Sequence, residues 1–121
     1  MIQEKEIYWL AGLLDGEGCF YCAPAHKGYR PSNPRICLSM TDRDIVERSH
    51  RLLGATGKIS PRKKYVAHYT QQWVFEVTGA RAIGWMFTLY PLLSERRREK
   101  IREVVNIWRH SKVGRPKKIA A

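Results

Sequence analysis

Leu10-Ala-Gly-Leu-Leu-Asp-Gly-Glu-Gly18 is the stretch from which the fold of this chain is read. Together with Ile7-Tyr-Trp9 it forms an uncharged run, Ile7 to Leu14, far short of the roughly 20 apolar residues that cross a bilayer. The run suits a short buried helix. Leu10, Leu13 and Leu14 supply packing, while Ala11 and Gly12 form a small-residue face that another backbone can approach closely. The pattern predicts a helix over Ile7–Leu14, preceded by the polar turn Gln3–Glu6 and broken by the glycines of Asp15-Gly-Glu-Gly18. Asp15 and Glu17 then stand at a helix C-terminus, where the macrodipole disfavours each negative charge by roughly 0.3–1 kcal/mol. A divalent cation would turn that liability into a coordination site, since Mg²⁺ is usually held by one or two carboxylates plus phosphate oxygens. The competing reading is that the carboxylates cap nearby backbone donors.

Beyond Gly18 the period changes to two. Phe20 and Cys22 fall on one side of a strand, Cys19, Tyr21 and Ala23 on the other. A loop over Pro24–Pro34 leads to a return strand, Arg35–Met40, with Ile36, Leu38 and Met40 inward and Arg35, Cys37 and Ser39 outward. Thr41-Asp-Arg-Asp44 opens a helix running to Leu53, stopped by Gly54 and Gly57. Lys58–Val66 and Tyr69–Thr78 form a second hairpin with Trp73, Phe75 and Val77 inward. Gly79 leads to a helix over Ala80–Tyr90, interrupted by Pro91, and a last helix spans Ser94 to about His110. The expectation is an α+β fold, helix-hairpin-helix-hairpin-helix-helix, with a four-stranded antiparallel sheet and helices packed on one face. Residues 1–110 form one domain, and residues 111–121 a basic tail with no apolar period.

The 121 residues carry 22 Lys+Arg against 11 Asp+Glu, a net charge of +11, with a pI near 10.0. That excess points to a polyanionic partner, most simply nucleic acid. Hydrophobic residues make up 44%, enough to build a core and to exclude wholesale disorder. Glu4 and Glu6 occupy the place of a signal peptide's basic region, and three cysteines cannot pair completely. The expected location is therefore a reducing compartment, cytoplasmic and nucleoid-associated or an organelle matrix, not secreted and with no membrane contact. No Ser-His-Asp constellation, Walker phosphate loop or dinucleotide glycine pattern is present.

The nine residues Leu10–Gly18 resemble the LAGLIDADG signature of homing endonucleases, differing by Leu14, Gly16 and Glu17 at positions where variants are common. The element order over nearly all of residues 1–110 is similar too, as is the basic stretch Leu92-Leu-Ser-Glu-Arg-Arg-Arg98 after the second hairpin. The resemblance implies a saddle-shaped sheet that binds double-stranded DNA and a metal-dependent phosphodiester hydrolase giving staggered ends at a long pseudo-palindromic site. Mg²⁺, with Mn²⁺ as substitute, is implied at Glu17 and Gly16, with Glu17 as the catalytic carboxylate. The family commonly places a lysine near the scissile phosphate; matching from Pro91 puts Arg96 there, or Arg97 or Arg98 if the register slips. Arginine cannot readily titrate, so it would act as an electrostatic clamp. Asp42 stands where the family often has a water-ordering Gln; it either orients water, binds metal at the edge, or caps the following helix. Cutting both strands needs two sites and this chain supplies one. Single-motif members of the family are homodimers, which implies an interface at Leu10, Ala11, Gly12, Leu14 and Asp15. A non-cutting DNA-binding regulator and an RNA maturase on the same scaffold are the alternatives.

Sequence readout is expected from the outward sheet face, because a two-stranded ribbon fits the major groove. Tyr21, Asn33, Arg35 and Ser39 from the first hairpin, and Lys58, Ser60, Arg62 and Gln72 from the second, are the candidates. Arg35 and Arg62 suit guanine, Asn33 and Gln72 adenine. Arg30, Lys63 and Lys64 suit phosphates, which position without reading sequence. Gly114-Arg-Pro-Lys-Lys118 resembles the core of an AT-hook but lacks the preceding Arg, and a merely solubilising tail fits equally. Cys19-x-x-Cys22 does not make a zinc site, because strand alternation sends the two thiols to opposite faces. The helical spacing of Tyr8, Trp9, Trp85, Phe87 and Trp108 predicts core packing in preference to base stacking.

Overall fold

The computed structural model describes residues 2–24, 33–64 and 66–110; Arg30 and the basic tail from residue 111 lie outside the described residues. The first helix, α1 (Glu4–Glu17), opens on a backbone donor that is satisfied locally, Gln3 N–H donating to Glu6 Oε1 at 3.1 Å. It runs through Asp15 and Gly16 to Glu17, three residues past the predicted stop. A helical glycine costs only about 1 kcal/mol relative to alanine. Asp15 is tied to a distant helix, and this tether holds the last turn in place. Gly18, not Gly16, ends the helix and starts β1 (Gly18–Tyr21).

Strand β2 (Arg35–Met40) pairs antiparallel with β1, Gly18 facing Leu38 and Tyr21 facing Arg35. On its other side β2 pairs with β4 (Trp73–Thr78), Arg35 facing Thr78 and Met40 facing Trp73. Strand β3 (Ser60–Pro61) completes the sheet, in order β1-β2-β4-β3. The second hairpin is therefore much shorter than the predicted Lys58–Val66 and Tyr69–Thr78. Pro61 lacks the donor that a longer ladder needs and is tolerated only on an edge. Pairing continues for one more bond, Arg62 N–H to the Gln72 carbonyl at 2.8 Å.

Helix α2 (Arg43–Leu53) begins at Asp42, whose carbonyl accepts from the backbone N–H groups of Ile45 and Val46. It stops at Gly54, which takes the left-handed φ of 64° that glycine adopts at no steric cost. Helix α3 (Gly79–Leu89) passes into a 3₁₀ turn over Tyr90–Leu92 containing Pro91, so the chain tightens there where a break was expected. Helix α4 (Glu95–Arg109) follows. Among the described residues no helix is long and apolar enough to cross a membrane.

The inner sheet face carries Phe20, Ile36, Leu38, Phe75 and Val77, all buried, as the period of two requires. Against it pack Leu10 and Leu14 of α1, Val46 and Leu53 of α2, Ile83 and Met86 of α3, and Ile101 and Val104 of α4. Helices α1, α2 and α3 lie on the central strands, and α4 lies along β1. Because Gly18 pairs with Leu38 and Met40 with Trp73, Glu17, Asp42 and Gln72 all leave the sheet at the same end.

Candidate functional site

The C-terminus of α1 meets the N-terminus of α4. Asp15 Oδ1 accepts the backbone N–H of Ser94 at 2.8 Å, and the Asp15 carbonyl accepts Arg97 Nε at 2.8 Å. The Ser94 hydrogen bonds hold the Asp15 carboxyl below the usual carboxylate range, with Arg97 and Arg96 adding to the effect. Asp15 is thus the capping residue of the two readings. Its charge, unfavourable at the end of α1, lies at the start of α4, where the dipole favours it.

Glu17 is left as the exposed carboxylate of this corner. The Leu14 carbonyl is taken by the Gly18 N–H and the Asp15 carbonyl by Arg97. Glu17 and the Gly16 carbonyl are therefore the oxygen donors next in order, at a helix end whose dipole attracts cations. Both are hard donors of the kind Mg²⁺ selects. Among the described residues no group of three or more His, Cys, Asp or Glu side chains converges to hold a metal. Glu17 and the Gly16 carbonyl could hold only part of a divalent cation's shell, with phosphate, water or a second chain supplying the rest.

Arg96 is exposed and within electrostatic reach of Asp15, whereas Arg97 is engaged with its carbonyl. Arg98 is directed toward Glu95, at 3.8 Å. Of the three arginines, Arg96 remains open toward solvent. Asp42 is exposed at the same end of the sheet; its carboxylate makes no capping bond, so it caps α2 through its backbone alone.

The signature helix does not present its leucines. Leu10, Ala11 and Leu14, expected at an interface, are 0%, 3% and 0% exposed, inside the chain's own core and away from its surface. Asp15 is committed to α4. The outward stripe of α1 is instead Tyr8, Gly12 and Gly16 at spacings of four, with Tyr8 O–H donating to Glu4. A Cβ at Gly12 or Gly16 would meet nothing within 4 Å, so the bare backbone of α1 faces outward.

The outward sheet face is a hydrogen-bonded array. Arg35 Nη1 donates to Glu76 Oε2 at 3.0 Å, and its guanidinium lies 5.4 Å from the centre of the Tyr21 ring. Ser39 Oγ donates to Gln72 Oε1 at 2.9 Å, and Arg62 Nη1 lies 3.4 Å from both oxygens. Glu76 was not singled out in the sequence, though the alternation that turns Phe75 and Val77 inward turns it outward. Lys100 was missed as well: α4 brings its ammonium 5.9 Å from the Tyr21 ring, and a helical period says nothing of which strand edge a helix covers. Asn33, Lys58, Ser60, Lys63 and Lys64 are exposed as expected. Lys63 and Lys64 line a basic cavity of about 240 Å³ with Arg62, Tyr69, Thr70 and Gln72. Cys19 and Cys37 are cross-strand partners on this face; burial and Glu76 push the Cys37 thiol up.

This arrangement of helices on one face of an open four-stranded antiparallel sheet is similar to solved protein–DNA complexes. The archaeal intron-encoded homing endonuclease I-Vdi141I, complexed with DNA, aligns with 84% of this chain and 67% of its own at a TM-score of 0.61 and 22% identity. The chain has the LAGLIDADG homing endonuclease fold. The homing endonuclease I-CvuI, solved on DNA, aligns over 85% of this chain and 65% of its own, with a TM-score of 0.61 and 19% identity. The group I intron-encoded I-CeuI, complexed with DNA, gives a TM-score of 0.62 at 10% identity over 88% and 55% of the two chains. The chain thus spans about two thirds of the length of the first two and just over half of the third. No family model matches the sequence, and no curated protein matches it.

Proposed function

We propose that the protein is a site-specific double-stranded DNA endonuclease that acts as a two-fold dimer on a long pseudo-palindromic site and leaves staggered ends. The observation that carries this reading is the corner where the end of α1 is tied to the start of α4 through Asp15, leaving Glu17 exposed on one helix and Arg96 exposed on the other, on a fold whose solved neighbours are bound to DNA. The sheet supplies the docking face, and the net charge of +11 supplies attraction to phosphates.

Glu17 and Gly16 are the residues that would hold a divalent cation, and I-CvuI complexes were solved in the presence of Mg or Ca. When bound, such an ion neutralises phosphate charge and lowers the pKa of water. Arg96 contributes a fixed positive charge where negative charge develops on the phosphoryl oxygens. Asp15 joins the end of α1, which carries Glu17, to the start of α4, which carries Arg96. Asp42 orders solvent at the same end of the sheet. One corner cuts one strand, so two copies meet through the Tyr8, Gly12 and Gly16 face of α1, where the absence of side chains lets the helices approach closely.

The test is incubation of the purified protein with Mg²⁺ and a duplex spanning its own gene's insertion site. Cleavage of both strands is expected, and Glu17→Gln should bind that duplex without cutting it. Binding by the wild type with no cleavage in Mg²⁺ or Mn²⁺ replaces the reading with that of a regulator. Preference for the host intron transcript over the duplex replaces it with that of an RNA maturase.

A further inference from the structure

We infer that the outward sheet reads DNA through side chains locked as hydrogen-bond donors, so that Arg35 selects guanine and Gln72 selects guanine or thymine and rejects adenine. This rests on the DNA-binding reading above.

Two diagonal contacts between β2 and β4 carry the inference. Arg35 faces Thr78, and its guanidinium reaches two residues along β4 to Glu76. Ser39 faces Val74, and its hydroxyl reaches two residues along to Gln72. The first contact takes one donor of Arg35, while the Tyr21 ring limits its swing from the other side. Five N–H donors in a fixed fork, less the one held by Glu76, leave enough for the paired O6 and N7 acceptors of guanine. Glu76 is a positioning residue. An unpaired anion on a DNA-facing surface repels phosphate, and its place beside Arg35 gives it a partner there.

The second contact fixes which end of the Gln72 amide faces outward. A guanidinium only donates, so the Gln72 atom that Arg62 Nη1 approaches is the carbonyl oxygen. Ser39 donates to the same oxygen. The amide oxygen is occupied within the sheet, and the NH₂ group is what remains for a base. Adenine recognition by glutamine needs both an acceptor and a donor, for N6 and N7 respectively. Turning the amide over would set its NH₂ against the Arg62 guanidinium. Guanine O6 and N7, or thymine O4, accept from NH₂ without that turn, whereas adenine offers only N7 and sets its N6 donor against the Gln72 NH₂, so the paired contact is lost.

The experiment is selection from randomised double-stranded DNA with the full-length protein, repeated for single variants after thermal unfolding confirms that each is folded. The base position lost in Arg35→Ala should be guanine in the wild type, preferred by about tenfold to a hundredfold. Glu76→Ala should reduce that preference by about two- to tenfold while leaving other positions unchanged, and Glu76→Gln, which keeps an acceptor, should restore most of it. The position lost in Gln72→Ala should be guanine or thymine, and the Ser39→Ala, Arg62→Ala double variant should admit adenine there. Adenine at the Gln72 position in the wild type, or unchanged guanine preference in Glu76→Ala, overturns the inference while the DNA-binding reading stands. Failure of the wild type to enrich any duplex overturns that reading, and the inference with it.

Discussion

Replacing Asp15 with alanine removes the carboxylate that accepts the Ser94 N–H at 2.8 Å and so unties the end of α1 from the start of α4. A hydrogen bond to a charged acceptor contributes about 1.5–3 kcal/mol net in a protected setting. This one lies near the surface, and solvent screening reduces it to about 1 kcal/mol. The two helix dipoles nearly cancel: the charge loses about 0.5 kcal/mol at the end of α1 and regains about as much at the start of α4. The expected destabilisation is therefore about 1 kcal/mol, or roughly 4–5 °C in melting temperature for a domain of this size. Its pH dependence follows from the direction of the shift. The native carboxyl titrates below its unfolded value, so its contribution is fully present above the unfolded pKa of about 3.9 and is lost as pH falls through the native one. Thermal unfolding of wild type and Asp15→Ala, followed by circular dichroism from pH 7 down to about pH 3, measures this; the gap should be constant above about pH 5 and narrow below about pH 4. Asp15→Asn, which keeps an oxygen acceptor without the charge, should fall between the two. Equal melting temperatures at neutral pH, or a gap that keeps its full size in acid, would refute the reasoning.

Other perturbations test the core, the proposed dimer and the proposed DNA face. Leu14→Ala hollows a site with 0% exposure and should cost about 2–5 kcal/mol in urea unfolding, although the substituted residue lies within the signature. Gly12→Leu adds a side chain into open space, so the isolated protomer should gain up to about 1 kcal/mol from helix propensity while sedimentation velocity reports loss of the dimer. A dimer that survives the substitution would move the interface elsewhere. Lys63→Ala combined with Lys64→Ala should weaken binding to all duplexes alike and lower the slope of log affinity against log salt by about 2 per protomer.

The sequence by itself determined what is periodic or punctuated. Strict alternation at Phe20, Ile36, Leu38, Phe75 and Val77 predicts the inner sheet face, because successive strand residues point to opposite sides whatever the sheet packs against. Gly54 stops α2 through chemistry acting within a few residues, and the carboxylates of Leu10–Gly18 mark one helix end; Asp42 stands at the start of α2, but its carboxylate makes no capping bond, so its side chain is not what starts the helix. The extent of α1 was not legible, because the glycine penalty is small and the tether that outweighs it comes from Ser94, 79 residues away. Nor was the division of labour between the carboxylates: Asp15 and Glu17 look alike in sequence, and only the approach of α4 makes one a cap and leaves the other exposed. Leu10 and Leu14 are apolar, and apolarity cannot distinguish the core of one chain from a surface between two. Glu76 acquires its partner from strand register, which pairs Cys37 with Glu76 and so sets Arg35 one diagonal step away. Local pattern thus decides which face a residue occupies, while contacts between remote segments decide which of its hydrogen-bonding groups are left for a ligand.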